Sequence, residues 1–331
     1  MRGADNPDSL RGVGLNFLVM DEAADIDENA WFKVLRPTLS DTGGHVLFVG
    51  SPKGRNWFYE QWKKGQNPDE PDWASWQFTT LQGGNVPPEE IEAARRELSE
   101  DVFDAEYNAS FITFAGRVYH PFDARTHCAP MTYRPNAPLI LAFDWNVEPG
   151  CCAIMQEQQL PNGLLGVGVI GEIWVPRNST TPAVCRKIAQ DWGGHFGPVK
   201  VYGDATGGAR GSARVMGSDI DLVKNELMPV FRDNISFHFP RANPPERARV
   251  NAVNSLLKSA SGDIRLMVDP IKAPHVVTDL EGVQLLEGGS GEIDKKANPA
   301  LTHISDALGY FVVAEFPIVN RKLTEGRMVF G

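Results

Sequence analysis

The sequence predicts an α/β protein made of two parts, on three observations. Two short stretches that are apolar throughout, LNFLVMD (15–21) and HVLFVG (45–50), read as parallel strands covered on both faces. From residue 138 onward three strand-like segments follow one another, and then helix and strand alternate, the order expected of a mixed sheet. Between the two patterns, residues 113–137 mix Pro, Gly and aromatic residues without a period and are expected to act as a linker. A chain of 331 residues has room for about two domains. The expected boundaries are 1–112 and 138–331.

In the first part, ENAWFKVLRPTL (28–39) reads as a short helix broken at Pro37, because proline lacks an N–H and crowds the preceding turn. NWFYEQWKKG (56–65) is a second helix. PPEEIEAARRELSEDVFDAEY (87–107) is a stronger one, with proline at its start, acids in its first turn and apolar residues at helical spacing. In the second part, LILAFDWN (139–146), CCAIMQEQ (151–158) and GLLGVGVIGEIWV (163–175) are the three consecutive strands, with Asn162-Gly163 as a hairpin turn. TPAVCRKIAQDWG (181–193) is helical, and VKVYGDA (199–205) and ISFHFP (235–240) are strands. RARVNAVNSLLKSA (247–260) and ALTHISDALGYFVVAEF (300–316) are helices.

A hydrophobic content of 42% with 22% charged residues argues against general disorder. No apolar run reaches the roughly 18–20 residues of a membrane span, and MRGADNPDSLRG has no signal-peptide core, so the cytoplasm is the expected compartment. Cys128, Cys151, Cys152 and Cys185 show no CxxC spacing and read as buried reduced thiols. Residues 1–113 hold 10 Lys+Arg against 20 Asp+Glu and the remainder 22 of each, so the whole net charge of −10 sits in the first third. That acidity disfavours nonspecific nucleic-acid binding while leaving room for a basic groove in the neutral part.

Two constellations carry chemistry. FLVMDEAA (17–24) ends an apolar strand on Asp21-Glu22, which suits nucleotide hydrolysis: the first carboxylate can hold Mg²⁺ through water, and the second can orient the attacking water. Apolar strands ending in acids are common, but FVGSPKG (48–54) adds a second such strand ending near Ser51, where a γ-phosphate sensor would stand. The phosphate-cradling GxxxxGK[ST] loop is not in this sequence, and no Gly-Lys dipeptide occurs. This polypeptide alone is therefore expected to hydrolyse ATP negligibly. A sheet without a P-loop strand would expose apolar edge and face, so residues 1–110 are expected to be poorly stable unless a partner covers them.

The second constellation is Asp144 at the end of LILAFDWN, Asp204 at the end of VKVYGDA, and Asp306 in the helix THISDALGY. If the two strands are neighbours and the helix crosses them, three carboxylates converge. Such a cluster repels itself unless cations fill it. Two Mg²⁺ or Mn²⁺ ions about 3.5–4 Å apart would do so, clamping the attacking water and the leaving oxygen of a phosphodiester. His303 shares a helical face with Asp306 and suits metal binding, proton transfer or a purely structural contact. Each aspartate alone also suits a loop or helix cap; their order favours a shared site. Glu172 is a candidate extra ligand, whereas Glu148 and Asp294 are expected in solvent. ATGGARGSARVMG (205–217) offers Arg210 and Arg214 as a grip on a DNA backbone, or is a mobile glycine loop. Arg241, Arg247, Arg249, Lys258 and Lys295-Lys296 could line the same groove, and no base-reading motif is present.

Taken together these residues resemble the large terminase subunit of tailed bacteriophages, the motor-nuclease that packages DNA into proheads. SLRGVGLNFLVMDEAADI, VLFVGSPKGRNWFYEQW, PEEIEAARRELSEDVFDAEYNASF and the triplet LAFDWN, VYGDATG, HISDALGY carry the resemblance, over about residues 9–315. It implies a partial P-loop ATPase sheet over 1–112, followed by an RNase H-like nuclease domain over 138–331. Asp21 and Glu22 match Walker B acids, and Ser51 lies in the motif that couples hydrolysis to movement. Asp144, Asp204 and Asp306 match the nuclease's metal-binding acids, and His303 a histidine found beside the last of them. The family's Walker A segment is absent from this sequence.

The resemblance implies a two-metal endonuclease cutting concatemeric viral DNA, with an incomplete ATP-driven motor and ATP as a cofactor only if the missing part is supplied. Its implied partners are double-stranded DNA, the portal protein and the small terminase subunit, with a ring oligomer on the prohead and the bacterial host's cytoplasm as location. A catalytically inactive prophage remnant that only binds DNA or packaging partners is the first alternative. A Holliday-junction resolvase or transposase-like nuclease is the second.

Overall fold

The computed structural model describes residues 7–10, 14–53, 56–111, 116–145, 148–177, 179–205, 218–286, 292–296 and 301–318, together with Gly3 and Gly12. The chain forms two compact units, one of Met1–Ala93, Asp101–Ala115 and Leu286–Glu292, the other of Ala94–Glu100, Gly116–Leu285 and Ile293–Gly331. No helix among the described residues is long and apolar enough to cross a membrane.

The first stretch of chain holds β1 (Phe17–Met20), a π-helical turn (Ala30–Leu35) running into α1 (Arg36–Ser40), β2 (His45–Phe48), α2 (Trp57–Gln66), α3 (Thr80–Gly83), α4 (Pro88–Glu97) and α5 (Glu100–Glu106). β1 and β2 pair in parallel, Phe17 opposite His45 and Met20 opposite Phe48. One face packs on Trp31, Leu35, Leu39 and Phe58. Among the described residues nothing covers the other, where Phe17 (59%), Val19 (50%), Leu47 (41%) and Val49 (43%) stay exposed. Burial on both faces is thus corrected to burial on one, in keeping with the open apolar face expected of such a sheet.

Two helix expectations change. Pro37 does not break its helix. It lies in the first turn of α1, and the turn before it widens so that the Arg36 N–H reaches the Trp31 carbonyl five residues back. Residues 87–107 form two helices rather than one. At the end of α4 the Arg95 and Leu98 carbonyls accept the N–H groups of Ser261 and Ala260, so backbone from elsewhere replaces the next helical turn.

The second unit is a six-stranded mixed sheet with helices on both faces. Its elements are α6 (Ala124–His127), β3 (Leu139–Asp144), β4 (Gly150–Gln159), β5 (Leu165–Val175), α7 (Thr181–Trp192), β6 (Val199–Tyr202), α8 (Asp219–Phe231), β7 (Ile235–His238), α9 (Glu246–Leu257), β8 (Leu266–Val268), α10 (Pro274–Gly282) and α11 (His303–Glu315). The strand order is β7-β6-β3-β4-β5-β8. β3, β4 and β5 form the expected antiparallel meander, while β6 joins β3, β7 joins β6 and β8 joins β5 in parallel. α7 and α8 pack on one face through Val184, Ile188, Val223 and Leu227. α9, α10 and α11 cover the other through Val253, Leu257, Val276, Ile304 and Leu308.

Residues 116–137, expected as a linker, belong to this unit. Val118, Tyr119 and Phe122 are buried in its core, and the Asn254 side chain donates to the Val118 carbonyl. Their aromatics are core rather than linker composition. All four cysteines are free, and burial pushes the Cys151 and Cys152 thiols well up.

Candidate functional site

β3 is apolar throughout because both its faces are covered. Leu139, Leu141 and Phe143 enter the layer of α7 and α8, and Ile140 and Ala142 that of α9 to α11. The two-residue period of a strand therefore turns Asp144 toward α11. β6 lies parallel beside β3 with Ala142 opposite Tyr202, and the same register carried on by two residues sets Asp204 beside Asp144. The two strand ends are pinned together by Trp145, whose indole Nε1 donates to the Asp204 carbonyl at 3.2 Å. Gly203 makes room for that ring: a Cβ there would stand 2.6 Å from Trp145 Cζ2. Gly203→Ala is expected to displace the indole and cost about 1–3 kcal/mol, as overpacking does, read as a lower urea midpoint with unchanged slope.

α11 crosses the sheet over these strands. At its start His303 Nδ1 faces Asp144 Oδ2 at 3.3 Å. One turn on, Asp306 Oδ1 accepts from Arg249 Nη1 of α9 at 2.8 Å. Burial pushes the Asp306 carboxyl up to about 6, with the Arg249 charge opposing the rise and the Asp144 charge adding to it. A further turn on, Tyr310 lies 4.4 Å below the Arg249 guanidinium. Its phenol is pushed up by burial, opposed by Arg249 and raised further by Asp204, Asp306 and Asp144.

The donor set, three carboxylates and an imidazole, is the hard oxygen-and-nitrogen chemistry that Mg²⁺ and Mn²⁺ take. A divalent ion would relieve the part of the Asp306 rise that the Asp144 charge adds to burial. Among the described residues no group of three or more His, Cys, Asp or Glu side chains is already gathered closely enough to hold a metal ion. A guanidinium supplies the positive charge at Asp306 instead.

Other expected residues are placed differently. Glu172 is no ligand here. Its buried carboxylate accepts the backbone N–H groups of His275 and Val276 at 3.1 Å, at the start of α10, and meets the ring of His275, which stacks on Trp174. Arg249, expected in a groove, is 7% exposed and lies against Asp306. Lys295 pairs with Glu246 at 2.6 Å, and Lys258 stands 4.0 Å from Glu100. Arg210 and Arg214 lie outside the described residues. Sequence reasoning missed Trp145, Tyr310 and Asp279. The tryptophan next to Asp144 and the tyrosine one turn past Asp306 were legible signals.

In the first unit, Asp21 and Glu22 are exposed beyond β1, with Glu22 at φ 50° and its N–H on Asp21 Oδ1. The Val49 N–H donates to the Met20 carbonyl and the Ala23 N–H to the Val49 carbonyl, both at 2.9 Å. Gly50, at φ 152°, leaves space against Glu22 Cα that a side chain would fill at 3.2 Å. The Asp21-Glu22 and Gly50-Ser51 segments are therefore neighbours, and Lys53 pairs with Asp25.

Residues 1–125 match the family model described as terminase large subunit, T4likevirus-type, N-terminal. The chain is 35% identical over 129 residues to the terminase large subunit of Escherichia phage T5, covering 38% of this chain and 30% of that protein. It is 36% identical over 169 residues to the terminase large subunit of Thermus virus P23-45, covering 44% of this chain and 34% of that one. This chain is a relative of the phage terminase large subunits. The matched stretch spans about a third of each of these curated relatives. A large terminase from a thermophilic bacteriophage, solved in complex with ATP-gamma-S, superposes with a TM-score of 0.61 at 17% identity, over 92% of this chain and 71% of that one. At that identity the likeness is one of fold, and it extends beyond the family-model match into the mixed sheet.

Proposed function

We propose that this terminase relative is a divalent-metal-dependent endonuclease that cuts concatemeric viral DNA during packaging in the bacterial host. Asp144, Asp204 and Asp306 would hold Mg²⁺ or Mn²⁺. The observation that supports the reading is that the ends of β3 and β6 lie side by side, tied through Trp145 to Asp204, with His303 of α11 facing Asp144. Bound divalent ions would supply polarisation of the attacking water and of the scissile phosphate. The protein's own part is to hold the carboxylates: Trp145 ties Asp204 to β3, His303 faces Asp144, and Arg249 orients Asp306 through one oxygen. Double-stranded DNA, the portal and the small terminase subunit are the proposed partners. Asp21, Glu22 and Ser51 would serve ATP hydrolysis together with a phosphate-binding loop.

The Arg249–Asp306 ion pair favours a second reading, in which the guanidinium permanently replaces the metal and the chain only binds DNA or packaging partners. Supercoiled plasmid separates the two. With Mn²⁺ the protein is expected to nick and then linearise it, and EDTA should stop both. Intact plasmid at every Mn²⁺ concentration would select the binding-only reading, and cutting confined to branched DNA would select a junction resolvase.

A further inference from the structure

Asp279 lies on α10, 1% exposed, and no sequence motif marks it. Its Oδ2 accepts the backbone N–H of Ser305 at 3.1 Å. Ser305 is the third residue of α11, where a helix has no internal acceptor for its N–H groups. The residue ahead of α11, Thr302, stands at φ 82° and offers these groups no side-chain cap. The carboxylate that the preceding sequence does not supply thus comes from another helix, at the end of α11 where negative charge is favoured. The contact is kept at a cost: burial pushes the Asp279 carboxyl up to about 6, even though the Ser305 hydrogen bonds pull it down.

What Asp279 holds is the turn that carries the site. His303 and Asp306 flank Ser305, and a slip of one residue would rotate α11 by about 100°, taking both away from Asp144. α10 is itself anchored, because the β5 carboxylate of Glu172 accepts the first N–H groups of α10. Two buried carboxylates in series therefore connect the sheet to α10 and α10 to α11.

We propose that Asp279 is a positioning residue of the metal site, fixing the rotation of α11 and so the placement of His303 and Asp306 against Asp144. This rests on the reading of that site as a metal centre. Asp279 itself touches neither metal nor DNA.

Calorimetric titration of Mn²⁺ into the full chain, without DNA, tests it. Partners of this kind cost roughly 10–100-fold in metal affinity when removed, and Asp279→Ala is expected to weaken Mn²⁺ binding by that factor. Asp279→Asn, whose amide oxygen still accepts the Ser305 N–H, should stay within about 3-fold of wild type. Alanine binding Mn²⁺ as tightly as wild type, or asparagine failing as badly as alanine, would overturn the proposal. If the alanine variant does not fold, Asp279→Glu carries the test: its longer side chain shifts the acceptor, and wild-type Mn²⁺ affinity there would overturn the proposal equally. A wild-type chain that binds no Mn²⁺ overturns the metal-centre reading itself and this inference with it, a result distinct from a failure confined to the variants.

Discussion

Asp144→Ala is expected to lower Mn²⁺-dependent nicking of supercoiled plasmid by at least about a thousandfold, the scale at which loss of one member of a catalytic unit registers. The reason is geometric. Asp144 is the one aspartate addressed by both other elements, beside Asp204 through the β3–β6 register and against His303 at the head of α11. Without its carboxylate the strand end and the helix no longer share a ligand. The same change has the opposite effect on the metal-free fold. The Asp144 charge is one of the causes that push the Asp306 carboxyl up, so its removal relieves repulsion in a buried place. A melt in EDTA should show the variant at least as stable as wild type. Loss of nicking together with a clear loss of metal-free stability would mean that Asp144 serves the fold instead.

Arg249→Met is expected to have the largest effect on stability, about 3–5 kcal/mol in the absence of divalent ions, because it leaves the buried Asp306 without its counter-charge. The loss depends on pH in a direction that follows from Asp306. Its folded carboxyl is raised to about 6 from an ordinary value near 3.8. Its stability contribution is therefore fully present below about pH 4 and lost as pH rises through 6. At pH 5 Asp306 is largely neutral with or without the arginine, and the substitution costs little charge balance. At pH 7.5 wild type holds an ion pair and the variant a lone buried acid. Denaturant unfolding at the two pH values should show a markedly larger loss at 7.5. Mn²⁺, which can replace the missing cation, should recover more stability in the variant than in wild type. Equal losses at both pH values would sink the assignment of Arg249 as the counter-ion of Asp306.

The three aspartates were legible because each ends or interrupts an apolar pattern, which draws attention whatever its role. Arg249 was not. Its neighbours in RARVNAVN read as an ordinary amphipathic helix, and only the packing of α9 against α11 shows that this arginine points inward at Asp306. Asp279 escaped for a similar reason. PHVVTDLEG (274–282) is short and has no capping residue of its own, since Glu172, about a hundred residues earlier, caps it from β5. α8 was not read from the sequence, and β8 was missed because three residues carry no period. The linker expectation failed at 116–137 because Pro and Gly counted for more there than Val118, Tyr119 and Phe122, which are core.

Local pattern sufficed for the class of fold, the meander and the carboxylates that mark two strand ends, since strand period and apolar runs depend on near neighbours in the chain. The partners of those carboxylates were settled by tertiary contacts: Arg249 on Asp306, Trp145 across Gly203, Asp279 at the head of α11. Each joins residues dozens of positions apart, and a buried charge is balanced by whatever packing brings near, which no periodicity along the chain encodes.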